Sequence, residues 1–290
     1  RGDQDVWMRP DGEDAYEYIG THVDDLLVVS RDVAKIFKEL ETQYTFKTTD
    51  KPVFHLGVDY NYVKGKNGAK GRYQIGSKTY IQEAVKKVEV LLGHELVLSK
   101  HSMLAKWHPE LDESRLCDSK EHTLYMQLIG IGLWISSIGR LDITFAISSF
   151  SRFSALPRIN HLLELKKVFG FLKRQPDKRL LVSSDDPGLL GDPVGEPEGM
   201  TGYYPDAKEE IDPKFPEPRG EEIKTSVWFD SDHAHDKKTF RSITGIIAFV
   251  GSTPYRWSAR RQGAILSSTY GAELWLGDRL WKKRCLFAIF

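Results

Sequence analysis

Residues 18–30, YIGTHVDDLLVVS, place two adjacent aspartates, Asp24 and Asp25, inside an otherwise apolar run. Two like charges ~4 Å apart repel by on the order of 4 kcal/mol at an effective dielectric near 20. A solvated hairpin tip tolerates such a pair, and a bound cation compensates it. The flanking pattern predicts short strands over 16–23 and 26–29 that meet at the two acids. A helix is predicted immediately afterwards, in SRDVAKIFKELETQY, with Ser30 as N-cap and Val33, Ile36, Phe37 and Leu40 on one face.

The remaining chain is read outward from this hairpin. Strands are expected in VFHLGVDYNYV and GRYQIG, joined by the turn-rich KGKNGAKG. A loop around KWHPELDESRLCDSKE then gives way to three helical stretches, LYMQLIGIGLWISSIG, DITFAISSFSRF and NHLLELKKVFGFLK. In the last, Leu162, Leu165, Val168, Phe169 and Leu172 form the apolar stripe. Residues 185–222 hold twelve acidic and three basic side chains with seven of the thirteen prolines, the composition of an extended linker. Beyond it, TSVWFDSD, SITGIIAFVG, TPYRWSA and AILSST read as strands and GAELWLGDRLWKKRC as a helix. Asp230 falls near a strand end and Glu273 in the first turn of that helix, where the macrodipole favours an anion. Two acids on different elements of one small sheet can converge on Mg²⁺, which prefers carboxylate oxygens.

At 290 residues, 40% hydrophobic and 28% charged, the chain has room for about two globular domains. No apolar stretch reaches the ~18 residues that span a bilayer, and the start has no signal-peptide pattern, so an intracellular protein without membrane partners is expected. Cys117 and Cys285 lie far apart and read as free thiols. His55, His94, His101, His108 and His122 lack zinc-ligand spacing. The formal charge is zero, yet the acidic linker leaves the remainder net positive. Residues 140–181 set nine Arg or Lys against three Asp or Glu, a solvated helix face or a phosphate-contacting one. The beginning at Arg1 and the apolar ending LFAIF suggest a segment of something longer.

YIGTHVDDLLVVS resembles the catalytic hairpin of reverse transcriptases from copia-type retrotransposons, whose usual form is YVDD followed by apolar residues and Ser. Four further stretches agree in order: FHLGV (54–58), LYMQLIGIGLWISSIGRLDITFAISSFSRFSALPR (124–158), HLLELKKVFGFLKR (161–174), and DSDHAHDKKTFRSITGIIAFVGSTPYRWSARRQGAILSSTYGAE (230–273), the last resembling the ribonuclease H region of the same polyproteins.

The resemblance implies an α+β architecture. It comprises a partial reverse-transcriptase palm sheet over 1–98, a helical thumb-like subdomain over 99–184, the acidic linker 185–222, and a partial ribonuclease H-like α/β domain over 223–290. It implies Mg²⁺, two ions per complete active site, with Asp24, Asp25, Asp230 and Glu273 as catalytic and metal-binding residues. Asp24 is the expected direct ligand and Asp25 the supporting acid, because successive strand side chains face opposite ways. His22, Arg158, Lys166, Lys167, Lys173, Arg174, Arg260 and Arg261 are the expected nucleic-acid contacts, with Gln262 beside them.

Implied partners are an RNA template, a DNA primer, RNA/DNA hybrid, dNTPs and other parts of the Pol polyprotein, in a cytoplasmic virus-like particle or the nucleus. Departures accompany the matches: His22 stands where the family has tyrosine, and STYGAEL where it more often has STEAEY. No upstream metal-binding strand precedes Asp24, and the next nuclease aspartate would lie beyond Phe290. Asp232, Asp236 and Asp278 read as structural or solvated acids. Little or no polymerase activity is therefore expected of these residues alone. The alternatives are a domesticated or decayed nucleic-acid-binding remnant without catalysis, and an assembly module whose acids are surface charge.

Overall fold

The computed structural model describes residues 4–47, 49–65, 71–104, 106–185 and 216–274. Asp278, Cys285 and most of the acidic linker lie outside them. The fold mixes α and β structure, and the described residues fall into two compact units: one from residues up to 52 with 184–185 and 216–224, the other from 53–183 with 225–274.

The first unit is an antiparallel sheet of β1 (Val6–Pro10), β2 (Tyr16–His22) and β3 (Asp25–Val29), in the order β1-β2-β3. The predicted hairpin is present, with Val23 and Asp24 as its two-residue turn and Asp25 already in β3 opposite His22. The helix α1 (Val33–Leu40) is shorter than its apolar pattern suggested. Its N-cap is Asp32, whose carboxylate accepts from the Lys35 amide at 3.1 Å. Ser30 instead accepts from the Asp32 amide and donates to Glu17 at 3.0 Å, so its hydroxyl serves the turn before the helix. Arg9 bonds Glu17 and reaches Glu39 at 2.7 Å, tying β1 to β2 and to α1.

The second unit has two sheets and a helical core. One sheet runs in the order β4 (Phe54–His55), β5 (Val58–Val63), β6 (Arg72–Gly76), β7 (Arg179–Leu181). The helices are α2 (Lys78–Leu92), α3 (Ser119–Ser137), α4 (Thr144–Ser151) and α5 (Ile159–Arg174). Three of them follow the sequence pattern, whereas α2 and β7 were not anticipated. The signal for α2 was present: Ile81, Ala84, Val85 and Val88 repeat at helical spacing, and Gly93, at φ 71°, ends the helix. Those residues pack with Leu128, Ile135, Ile147, Phe150, Leu165 and Phe169 into one core. Each fully buried large aliphatic or aromatic side chain contributes ~1.5–3 kcal/mol.

Two charged or close-packed features fix the helices. Asp118 and Glu121 form a reciprocal cap at the start of α3, and the Arg115 guanidinium holds Glu121 down to about 2. At Gly170 the chain near Val97 passes so close to α5 that a Cβ would collide with the Val97 carbonyl oxygen.

The second sheet, in the order β10-β9-β8, consists of β8 (Thr225–Asp232), β9 (Ile243–Val250) and β10 (Thr253–Arg261). It belongs to the same compact unit as the helices and packs on α4 through β10. The Trp257 indole donates to the Ser136 carbonyl at 2.9 Å, and Thr253 exchanges hydrogen bonds with the backbone of Ser183. The expected fourth strand AILSST does not form; residues 262–268 are irregular, and helix begins at residue 269. Only its first residues, 269–274, are described.

Candidate functional site

In the first unit, the two-residue turn puts Asp24 at the hairpin tip and Asp25 at the head of β3. Val23 holds the left-handed conformation at φ 55° and is 95% exposed, a costly state for a β-branched residue and of order 1–3 kcal/mol. Asp24, Asp25 and His22 are all exposed, and no hydrogen bond or ion pair with a described residue engages the Asp24 carboxylate. Carboxylate oxygens of this kind suit Mg²⁺, with water completing the octahedron.

In the second unit, Asp230 is exposed on β8 and accepts from the Ser231 amide at 2.8 Å. Its register partner is Gly245, where an added Cβ would meet nothing within 4 Å, so the face around Asp230 is open. Glu273 is half-buried in the helical stretch that begins at residue 269. Among the described residues no three His, Cys, Asp or Glu side chains gather as a metal site. These carboxylates supply oxygen donors of the kind Mg²⁺ takes, but no ligand cage is assembled among the described residues.

A residue between these acids organises their supports. Gln262 is 1% exposed, and its side-chain nitrogen lies 3.1 Å from the Ser231 hydroxyl, 3.0 Å from the Thr244 hydroxyl and 3.1 Å from the Ala272 carbonyl. Ser231 follows Asp230 and Ala272 precedes Glu273, so this one amide ties the strand of the first acid to the helix of the second. The expectation that Gln262 contacts nucleic acid is corrected: burial withdraws it from any ligand and makes it a structural tie.

The basic residues divide by their partners. Lys173 reaches Glu89 at 2.7 Å and Glu95 at 3.3 Å, and Lys167 pairs with Glu164 at 2.5 Å. Arg158 bonds the Ser114 carbonyl, and Arg261 pairs with Asp236 at 2.8 Å. Lys166 is half-buried, whereas Arg174 and Arg260 are exposed, and none of the three pairs with a described acid. Arg260 and Arg261 are the last residues of β10 and do not follow the strand as expected.

Asp236 is the acid with the strongest surroundings. It is fully buried and accepts from Arg261 at 2.8 Å, Arg152 at 3.1 Å, and the amides of Thr239 at 2.8 Å and Lys238 at 3.2 Å. Burial alone would raise its pKa, but these donors outweigh it and bring the carboxyl down to about 2. Nearby, Glu110 accepts from the Lys237 amide at 2.9 Å and lies 3.0 Å from His108 Nδ1. His161 is buried as the neutral ring: Nε2 donates to the Pro109 carbonyl at 2.8 Å and Nδ1 accepts from the Arg158 amide at 3.2 Å. Burial correspondingly lowers its pKa. The structural reading of Asp236 thus has a specific basis, a clasp between the β8–β9 connection and the helices.

Comparison with curated proteins adds descent to geometry. Over 261 residues the chain is 20% identical to the retrovirus-related Pol polyprotein from transposon RE1 of Arabidopsis thaliana. It is 21% identical over 262 residues to the corresponding RE2 polyprotein, and each match covers 88% of the chain. The chain is a relative of retrotransposon Pol polyproteins. A Ty5-1 transposon protein of Saccharomyces cerevisiae is 26% identical over 161 residues, covering 53% of the chain and 48% of that protein. The chain spans 14% of the RE1 polyprotein and 15% of the RE2 polyprotein. No family model matches the chain, and no solved structure does. No helix among the described residues is long and apolar enough to cross a membrane.

Proposed function

We propose that this Pol relative corresponds to the later part of a copia-type reverse transcriptase joined to part of its ribonuclease H region. The observation that supports this reading best is the β2–β3 hairpin, which presents Asp24 and Asp25 at a solvent-facing tip beside His22. Asp24 is the proposed direct ligand and Asp25 the supporting acid. Bound Mg²⁺ would supply activation of a primer hydroxyl and charge neutralisation at the phosphates in the polymerase, and of water in the nuclease. The protein's part is to hold carboxylates in fixed places: the hairpin register does so for Asp24 and Asp25, and the Gln262 tie for Asp230 and Glu273. RNA template, DNA primer, dNTPs and RNA/DNA hybrid are the proposed ligands, with exposed Arg174 and Arg260, and half-buried Lys166, as proposed phosphate contacts.

Among the described residues no three acids gather at either centre, so these residues by themselves are proposed to bind hybrid with little turnover. Binding to RNA/DNA hybrid with and without Mg²⁺, for the parent chain and Asp24→Asn, tests the assignment. The expected result is salt-sensitive binding, strengthened by Mg²⁺ in the parent and less so in the variant. Equal Mg²⁺ dependence in both would remove Asp24 from the metal. Robust primer extension on poly(rA)/oligo(dT) would refute the incompleteness.

A further inference from the structure

Beside the Asp236 clasp, in the second unit, lies a cavity of about 210 Å³ lined by Glu110, Arg152, Asp236, Lys238, Thr239 and Arg261, among others. Two of its lining groups are buried polar atoms without a hydrogen-bond partner among the described residues, Glu110 Oε2 and Arg152 Nε, while the Thr239 hydroxyl is turned to the Asp236 carboxylate and helps to lower its pKa. Such orphans are rare in folded proteins, and each costs ~1–3 kcal/mol when left unmade. Glu110 is 6% exposed, and its Oε2 forms a long ion pair with the Arg152 guanidinium at 3.6 Å. The volume exceeds what one water needs and falls short of the ~300 Å³ at which drug-sized ligands begin. A small polyatomic group is the right size.

The chemistry of the orphans narrows the choice. Arg152 Nε can donate, and exposed Lys238, which pairs with no described acid, adds a cation. Two further carboxylates line the cavity, and both are already engaged: Asp236 by two arginines and two amides, and Asp112 by the Ser114 amide and hydroxyl and the Asn160 side chain. The donors call for an oxyanion. Glu110 Oε2, a carboxylate oxygen, repels a fully ionised one but accepts from one that keeps a hydroxyl.

We propose that this cavity is a binding site for a protonated phosphoryl group, either free hydrogen phosphate or the singly protonated terminal phosphate of a larger molecule. Arg152 and Lys238 hold its oxygens, and Glu110 receives its P–OH. Sulfate, without a proton at neutral pH, is discriminated against. The site is separate from the acids of the proposed catalytic function and does not depend on them.

Isothermal titration of the whole chain with inorganic phosphate and with sulfate, at matched ionic strength, tests the proposal. Saturable phosphate binding is expected, with sulfate weaker by at least about tenfold, the equivalent of ~1.4 kcal/mol. Arg152→Lys keeps the charge but removes the Nε donor and should weaken phosphate about tenfold. Glu110→Gln should narrow the preference over sulfate, and Lys238→Ala, at an exposed position, gives a second variant that leaves the fold intact. Competition by a 5′-phosphorylated dinucleotide, but not by its unphosphorylated form, would assign the site to terminal phosphates; absence of competition would assign it to free phosphate. No saturable phosphate binding, or equal affinity for phosphate and sulfate, would overturn the proposal.

Discussion

Replacing Asp236 tests whether one buried carboxylate clamps the β8–β9 connection to the helices. The side chain is fully buried, and it accepts charge-assisted bonds from Arg261 at 2.8 Å and Arg152 at 3.1 Å, plus two backbone amides. Asp236→Ala leaves the Arg152 side chain, only 14% exposed, facing the 30% exposed Arg261 without the intervening anion. Breaking a buried ion pair from one side costs ~3–5 kcal/mol, because the remaining charge stays desolvated. Asp236→Asn keeps one oxygen for the Lys238 and Thr239 amides and should recover ~1 kcal/mol of that loss. Native-state hydrogen exchange of the β8, β9 and β10 amides reports this unit directly, as the free energy of opening. A double-mutant cycle with Arg152→Met should show a coupling between the two sites of ~0.5–3 kcal/mol. If Asp236→Ala lowers the opening free energy by less than ~1 kcal/mol, the clasp is not what holds the connection in place.

Other outcomes follow from the same geometry. Asp236 has a folded-state pKa of about 2 against an ordinary value of 3.8, so its contribution is complete above about pH 4 and is lost as the pH falls through about 2. Urea midpoints of this unit measured across that window should fall with acid, and the fall should be smaller in Asp236→Asn. Gly170→Ala should destabilise by ~2 kcal/mol or more, since its Cβ meets the Val97 carbonyl of the backbone. Gly132→Ala should cost less, because the obstructing atoms belong to the Ile147 side chain, which can turn aside. Equal urea midpoints for the two glycine variants would refute the distinction between a rigid and a flexible neighbour.

The sequence by itself determined the hairpin, the five strands that recur where alternation marks them, and the helices α3, α4 and α5, because these depend on patterns of neighbours two residues apart in strands and three or four apart in helices. It also determined the relationship to transposon polyproteins, through motifs in order. It could have revealed α2, whose apolar spacing is plain once Gly93 is read as its end. Tertiary structure alone decided the rest. AILSST has strand-like composition, yet it pairs with none of the described strands, and residues 262–268 remain irregular. Gln262 is polar and follows a basic pair, a surface signature, but three elements converge on it and bury it. Within DSDHAHDKK, Asp236 reads equally as a structural or a solvated acid, and only Arg152, 84 residues away in sequence, and Arg261, 25 away, decide for the first by closing on it. Burial and charge pairing are properties of approach between distant segments, and no local pattern encodes which segments will approach.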